Sequence, residues 1–125
     1  MPTDAVTPNP DLKLETEKHG AETVVRATGR ITSATSTMLD GTLRSLVAIG
    51  KALVLDLSHV DYVDSAGLGA LVSVYIHAKK EYCDLVIANP NPRVRDLFNQ
   101  SGLASVFQER SLDTQRPAWP GGSHR

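Results

Sequence analysis

At 125 residues, 41% apolar and 22% charged, the chain has material for one hydrophobic core and too little for two domains. Its formal net charge of −1 creates no field of a single sign, which argues against nucleic acid or an anionic membrane surface as partner. Cys83 is the only cysteine, so no internal disulfide forms, and no apolar run reaches the roughly 20 residues of a membrane-spanning helix; a cytoplasmic protein without a metal or cofactor is expected.

In chain order, residues 1–10 hold three prolines and neither a basic start nor an apolar stretch, so they read as a loose tail and not as a secretory signal. Thr23–Gly29 suits a strand, with Leu12–Glu17 as its hairpin partner across His19 and Gly20. From Ser33 to Ile49, Met38, Leu39, Leu43, Leu46 and Val47 recur at helical spacing, with Thr32 or Ser33 placed to cap the start and Gly50 to end it. Ala52–Leu57 is a near-continuous apolar run, the pattern of a central strand covered on both faces.

Leu68, Leu71, Val72, Tyr75 and Ile76 give a second helix, which ends near Lys79 and Lys80 where positive charge suits the helix dipole. Leu85–Ala88 is another buried strand. Asn91 followed by Pro92 is a helix start, Val94, Leu97 and Phe98 form its apolar stripe, and Gly102 closes it. Ser105–Glu109 adds a last short strand. The alternation predicts one α/β domain over residues 11–110, a mixed but mostly parallel sheet of about four to five strands packed against helices. Residues 111–125 read as a second loose tail, in which Trp119, between Pro117 and Pro120, reads as exposed.

Chemistry concentrates between the central strand and the second helix. There Asp64 and Ser65 stand at a helix amino terminus, where unpaired N–H groups and the helix dipole favour an anion, so a phosphoryl group on Ser65 would be held by the first turn. The small Ala66, Gly67 and Gly69 leave room for another protein to approach. Either Asp64 or Ser65 also suits a simple helix cap, and the two roles are compatible. A hydrolase elbow is disfavoured because Val63 occupies the place of its first glycine. His19, His59, His77 and His124 show no metal-ligand spacing, and Gly67-Leu68-Gly69 lacks the lysine of a phosphate-binding loop. Arg93 and Arg95, beside Asp96, read as a solvated face.

Val63-Asp64-Ser65-Ala66-Gly67-Leu68-Gly69, preceded by Leu53-Val54-Leu55-Asp56-Leu57-Ser58, resembles the signature of STAS-domain anti-sigma-factor antagonists. Gly29-Arg30-Ile31 and the segment from Arg95 to Leu103 resemble further parts of that family. The resemblance implies a STAS fold in a non-enzymatic bacterial regulator. Unphosphorylated, such a protein binds an anti-sigma factor that is itself a serine kinase, and so frees the sigma factor. The kinase phosphorylates the antagonist, and a metal-dependent serine/threonine phosphatase restores it. By this resemblance Ser65 is the phosphoacceptor, Asp64 organises the site, and the partner surface includes Ala66, Gly67, Leu68, Thr32 and Arg30. Where many members read Gly-Glu-(Leu/Ile)-Asp, this chain reads Gly29-Arg30-Ile31-Thr32, so an acidic residue near the site is replaced by Thr32. The alternative is a constitutive scaffold or adaptor, in a sensory or lipid-transport complex, in which Ser65 is only a cap.

Overall fold

The alternation of strands and helices is realised in the computed structural model, which describes residues 11–110. Five strands, β1 (Leu12–His19), β2 (Glu22–Ile31), β3 (Ala52–Val63), β4 (Asp84–Ala88) and β5 (Gln108–Arg110), form one sheet in the order β1-β2-β3-β4-β5. The β1–β2 hairpin is antiparallel, and every later pair is parallel. The parallel connections carry α1 (Ser36–Leu46), α2 (Ser65–Lys80) and α3 (Pro92–Ser101), the last followed by a single 3-10 turn at Leu103–Ser105.

Strand periodicity sorts the core. Leu53, Leu55 and Leu57 of β3, Val25 and Ala27 of β2, and Leu85 and Ile87 of β4 point to one face. There they join Leu39 and Leu43 of α1, Leu71, Val74 and Ala78 of α2, and Val94 and Phe98 of α3 in one buried cluster. Neighbouring parallel strands joined by crossovers of one hand place all their helices on one face, which is the arrangement this cluster records. Each fully buried leucine contributes about 1.5–3 kcal/mol relative to exposure. Phe107 closes one end of the core, its ring 5.3 Å from that of Phe98 and edge-on to Tyr75 at 5.7 Å.

On the other face, Glu17 accepts a hydrogen bond from Arg26 at 2.8 Å and one from His19 at 3.3 Å. These bonds, that from Arg26 foremost, hold the Glu17 carboxyl below its ordinary pKa.

Both ends of α1, the end of β3 and the start of β5 differ from the sequence reading, β5 beginning at Gln108 because Ser105 closes the 3-10 turn. Helix α1 begins at Ser36, with Thr35 and not Thr32 or Ser33 at its N-cap position. Residues 32–35 form a turn instead, in which the Thr35 and Ser36 N–H groups donate to the Thr32 carbonyl at 3.0 and 2.7 Å. The helix ends at Leu46 because Val47 is extended (φ −69°, ψ 129°). Gly50 therefore lies in the loop beyond, where its positive φ of 74° lets its N–H reach the Tyr82 carbonyl at 2.9 Å.

Strand β3 continues six residues past Leu57, to Val63. Against β2 it gains one extra residue between Asp56 and His59 and another between Val60 and Tyr62. Each insertion reverses which side chain faces inward, so Leu57, Val60 and Val63 are all buried although successive members are an odd three positions apart.

Candidate functional site

In a parallel sheet the strand-to-helix turns collect at the carboxyl edge. Here that edge carries the turn from β2 to α1, the β3–α2 junction and the amino end of α3. Gly67 explains how closely the first two are joined. A Cβ at this position would lie 2.2 Å from the Ile31 carbonyl oxygen and 2.7 Å from Ile31 Cγ2. Only glycine lets α2 approach β2 so nearly.

Asp64 is the N-cap of α2, and its Oδ1 accepts the Gly67 N–H at 2.8 Å. Its Oδ2 accepts the Ser33 N–H at 3.2 Å, and its own N–H donates to the Ile31 carbonyl at 3.1 Å. One residue thus ties the start of α2 to the β2–α1 turn. The cap is Asp64 and not Ser65. Ser65, the first residue of α2, is exposed, and among the described residues its hydroxyl has no hydrogen-bond partner.

Of the first backbone donors of α2, that of Gly67 is taken by Asp64, while those of Ser65 and Ala66 have no acceptor within the helix. No acidic residue lies in the first turn, and His77, Lys79 and Lys80 lie in the last. The amino end of this 16-residue helix therefore keeps the positive end of its dipole unopposed by a side chain of the helix itself.

The remaining candidate residues spread around this point. Ala66 is exposed, Leu68 is half-buried against the core, and Gly67 is buried, so its smallness serves helix packing. Gly69 is exposed with open space around it. Thr32 is half-buried and its Oγ1 accepts the Ala34 N–H at 3.2 Å, an interaction internal to the turn. Arg30 is exposed, and its guanidinium lies over the Tyr62 ring, 5.1 Å from the centroid.

Next to Val63, the end of β3 and helix α3 enclose an open cleft of about 310 Å³, with Val63, Val94 and Leu97 as its apolar wall and Tyr62, Arg93 and Asp96 among its polar lining. Asn91 fixes α3 here. Its side chain caps Val94 N–H at 2.9 Å and donates to the Val60 carbonyl. Arg93 therefore borders the site, a placement that a charge count in the sequence does not reveal.

Sequence reasoning also missed Thr35, which is fully buried. Its hydroxyl donates to the Arg30 carbonyl at 2.9 Å and accepts the Thr32 N–H at 2.9 Å, holding the turn together. Nothing in the local sequence separates it from its neighbours Thr32, Ser33 and Ser36. That Asp64 or Ser65 caps α2 is legible in the sequence, but which of the two does so is not. Among the described residues no helix is long and apolar enough to cross a membrane, and no group of three acidic, histidine or cysteine side chains is placed to hold a metal.

The family model for the STAS domain matches residues 13–115. The Bordetella bronchiseptica protein BtrV is 32% identical over 97 residues, which span 77% of this chain and 84% of that protein. The anti-sigma F factor antagonist of Paenibacillus polymyxa is 26% identical over 99 residues, 78% of this chain and 85% of the relative. The crystal structure of an anti-sigma factor antagonist from Mycobacterium paratuberculosis superimposes with a TM-score of 0.67 at 30% identity, covering 82% of this chain and 89% of that one. The chain belongs to the STAS domain family, among its anti-sigma factor antagonists.

Proposed function

We propose that this protein, when unphosphorylated, binds an anti-sigma serine kinase and thereby releases a sigma factor, and that phosphorylation of Ser65 ends the binding. The observation that carries the proposal is the division of labour at the start of α2. Asp64 supplies the cap, which leaves the Ser65 hydroxyl exposed and uncommitted.

Phosphorylation adds about −1.5 to −2 charges. At the first turn of α2 that charge meets unpaired N–H groups and a favourable dipole, so the fold itself tolerates it. Docking does not. A partner covering Ser65 would have to desolvate the phosphoryl group beside the half-buried Asp64 carboxylate, with the exposed Asp61 on the same edge of the sheet. A loss of about 3 kcal/mol would lower affinity roughly a hundredfold. In this reading the chain performs no catalysis, ATP and metal belong to the kinase and to a serine/threonine phosphatase, and the protein acts in the cytoplasm.

The test is capture from a lysate of the native host with wild-type, Ser65→Ala and Ser65→Glu baits. An ATP-binding anti-sigma kinase retained by the first two and lost with the third supports the switch. Equal capture of the same partners by all three overturns it in favour of a constitutive adaptor.

A further inference from the structure

The amino ends of the parallel strands, opposite the edge that carries Ser65, present an exposed apolar pair. Helix α2 ends in a left-handed turn in which the Tyr82 N–H donates to the Lys79 carbonyl at 3.2 Å and the Cys83 N–H to the Ala78 carbonyl at 2.9 Å. Glycine is the usual residue at the left-handed position of this motif. Here it is Tyr82, with φ 56° and 78% exposure, so a bulky side chain is held in a backbone conformation that is costly for it while its ring stays largely in water. The Tyr82 carbonyl accepts the Gly50 N–H at 2.9 Å, which pins beside it the turn that carries Ile49, itself 70% exposed. Among the described residues these two are the most exposed large hydrophobic side chains.

We propose that Ile49 and Tyr82 form the centre of a two-fold interface between two copies of this chain, the Tyr82 ring of each copy lying over Ile49 of the other. The charges around the pair favour a second copy as occupant. Glu22, Ala52 and Asp84 are in register at the amino ends of β2, β3 and β4, and Glu22, Lys51 and Asp84 line with Tyr82 an open cleft of about 470 Å³. An edge that carries both signs offers a strongly charged partner no net attraction, whereas a two-fold axis sets Lys51 of one copy against Glu22 and Asp84 of the other. The two tails, Trp119 among them, lie outside the described residues, and the described chain starts and stops away from this edge, where Leu12 pairs with Gly29 and Arg110 with Ala88. The patch is small against the roughly 800 Å² that each partner buries in a standard interface, so the association is weak and reversible. β3 is 12 residues long, which at about 3.3 Å per residue separates this edge from Ser65 by more than about 30 Å. The dimer therefore turns both Ser65 hydroxyls outward and is bivalent toward a protein that binds there.

Sedimentation equilibrium of the full chain tests the proposal without any other protein. The average mass is expected to rise from one copy toward two between about 10 µM and about 1 mM, the range of weak interfaces. Tyr82→Gly and Ile49→Lys are each expected to weaken the association at least about tenfold, while Ser65→Glu, at the other edge, leaves it unchanged. Tyr82→Gly carries a second readout. Glycine adopts the left-handed conformation without strain, so the dilute, monomeric variant is expected to melt above wild type while it associates less. A single copy throughout the concentration range would overturn the proposal, and so would association of wild-type strength in both Tyr82→Gly and Ile49→Lys. A mass that grows past two copies would overturn it as well, because a two-fold contact closes on itself.

Discussion

The carboxylate of Asp64 accepts the backbone N–H of Ser33 at 3.2 Å across 31 residues of sequence, while its other oxygen holds the first turn of α2. A single side chain therefore sets the position of the β2–α1 turn relative to Ser65. Asp64→Ala removes both bonds and is expected to lower stability by about 1–2 kcal/mol, as loss of a helix cap does. Asp64→Asn keeps an acceptor for the Gly67 N–H and should lose less. Urea unfolding of the two variants against wild type checks the order.

Gly67 and Gly69 make a contrasting pair on the same helix. Alanine at 67 would drive its Cβ against the backbone oxygen of Ile31, which has no flexible end to give way. Gly67→Ala is expected to cost about 3 kcal/mol, the upper part of the usual overpacking range. Gly69→Ala meets open space and gains up to about 1 kcal/mol of helix propensity. Thermal melts with opposite shifts are the expected result.

Ser65→Glu separates folding from binding. A carboxylate in the first turn of α2 favours the helix by about 0.3–1 kcal/mol, so the melting temperature should hold or rise. Binding to the partner retained by the wild-type bait should nevertheless fall by roughly a hundredfold, or about 3 kcal/mol. Calorimetric titration beside a melt of the same sample reads both quantities. A parallel loss of stability and affinity would mean that the substitution acts through the fold.

Glu17 predicts a modest acid dependence. Its pKa is lowered in the folded protein, first by the hydrogen bond from Arg26 and then by that from His19. A lowered carboxylate pKa contributes stability that is fully present above the unfolded value and disappears as pH falls through the folded one. About half of the Glu17 side chain is exposed, so solvent screening limits the effect to about 0.5 kcal/mol. Glu17→Gln should flatten the acid limb of the stability profile by that amount, measured by urea midpoints at successive pH values below neutrality.

Local signals carried most of the fold. Asn91 and Pro92 at the start of α3 and Gly102 at its end act through neighbouring residues, and each sits where its own chemistry requires. The element order likewise followed from periodicity. The features that the sequence does not reveal depend on contacts distant in sequence. From sequence β3 reads as ending at Leu57, because two extra residues relative to β2 break the two-residue alternation that marks a strand. Thr35 looks like its neighbours until the Arg30 carbonyl is placed beside it. At the site, the segment 63–69 is legible as a motif, but not the choice of Asp64 over Ser65 as cap, nor the inward role of Gly67, which rest on Ser33 of the β2–α1 turn and Ile31 at the end of β2.

The spatial order of the strands repeats their order along the chain. During synthesis each strand emerges when the strand it must pair with is already available, beginning with a hairpin that needs no distant segment. No strand has to wait for one made later, or be threaded between two that have already joined. Such a layout lets the sheet grow from one edge at the pace of the ribosome, and the exposed growing edge, the hazard of slow non-local pairing, is covered by the next strand as soon as it appears.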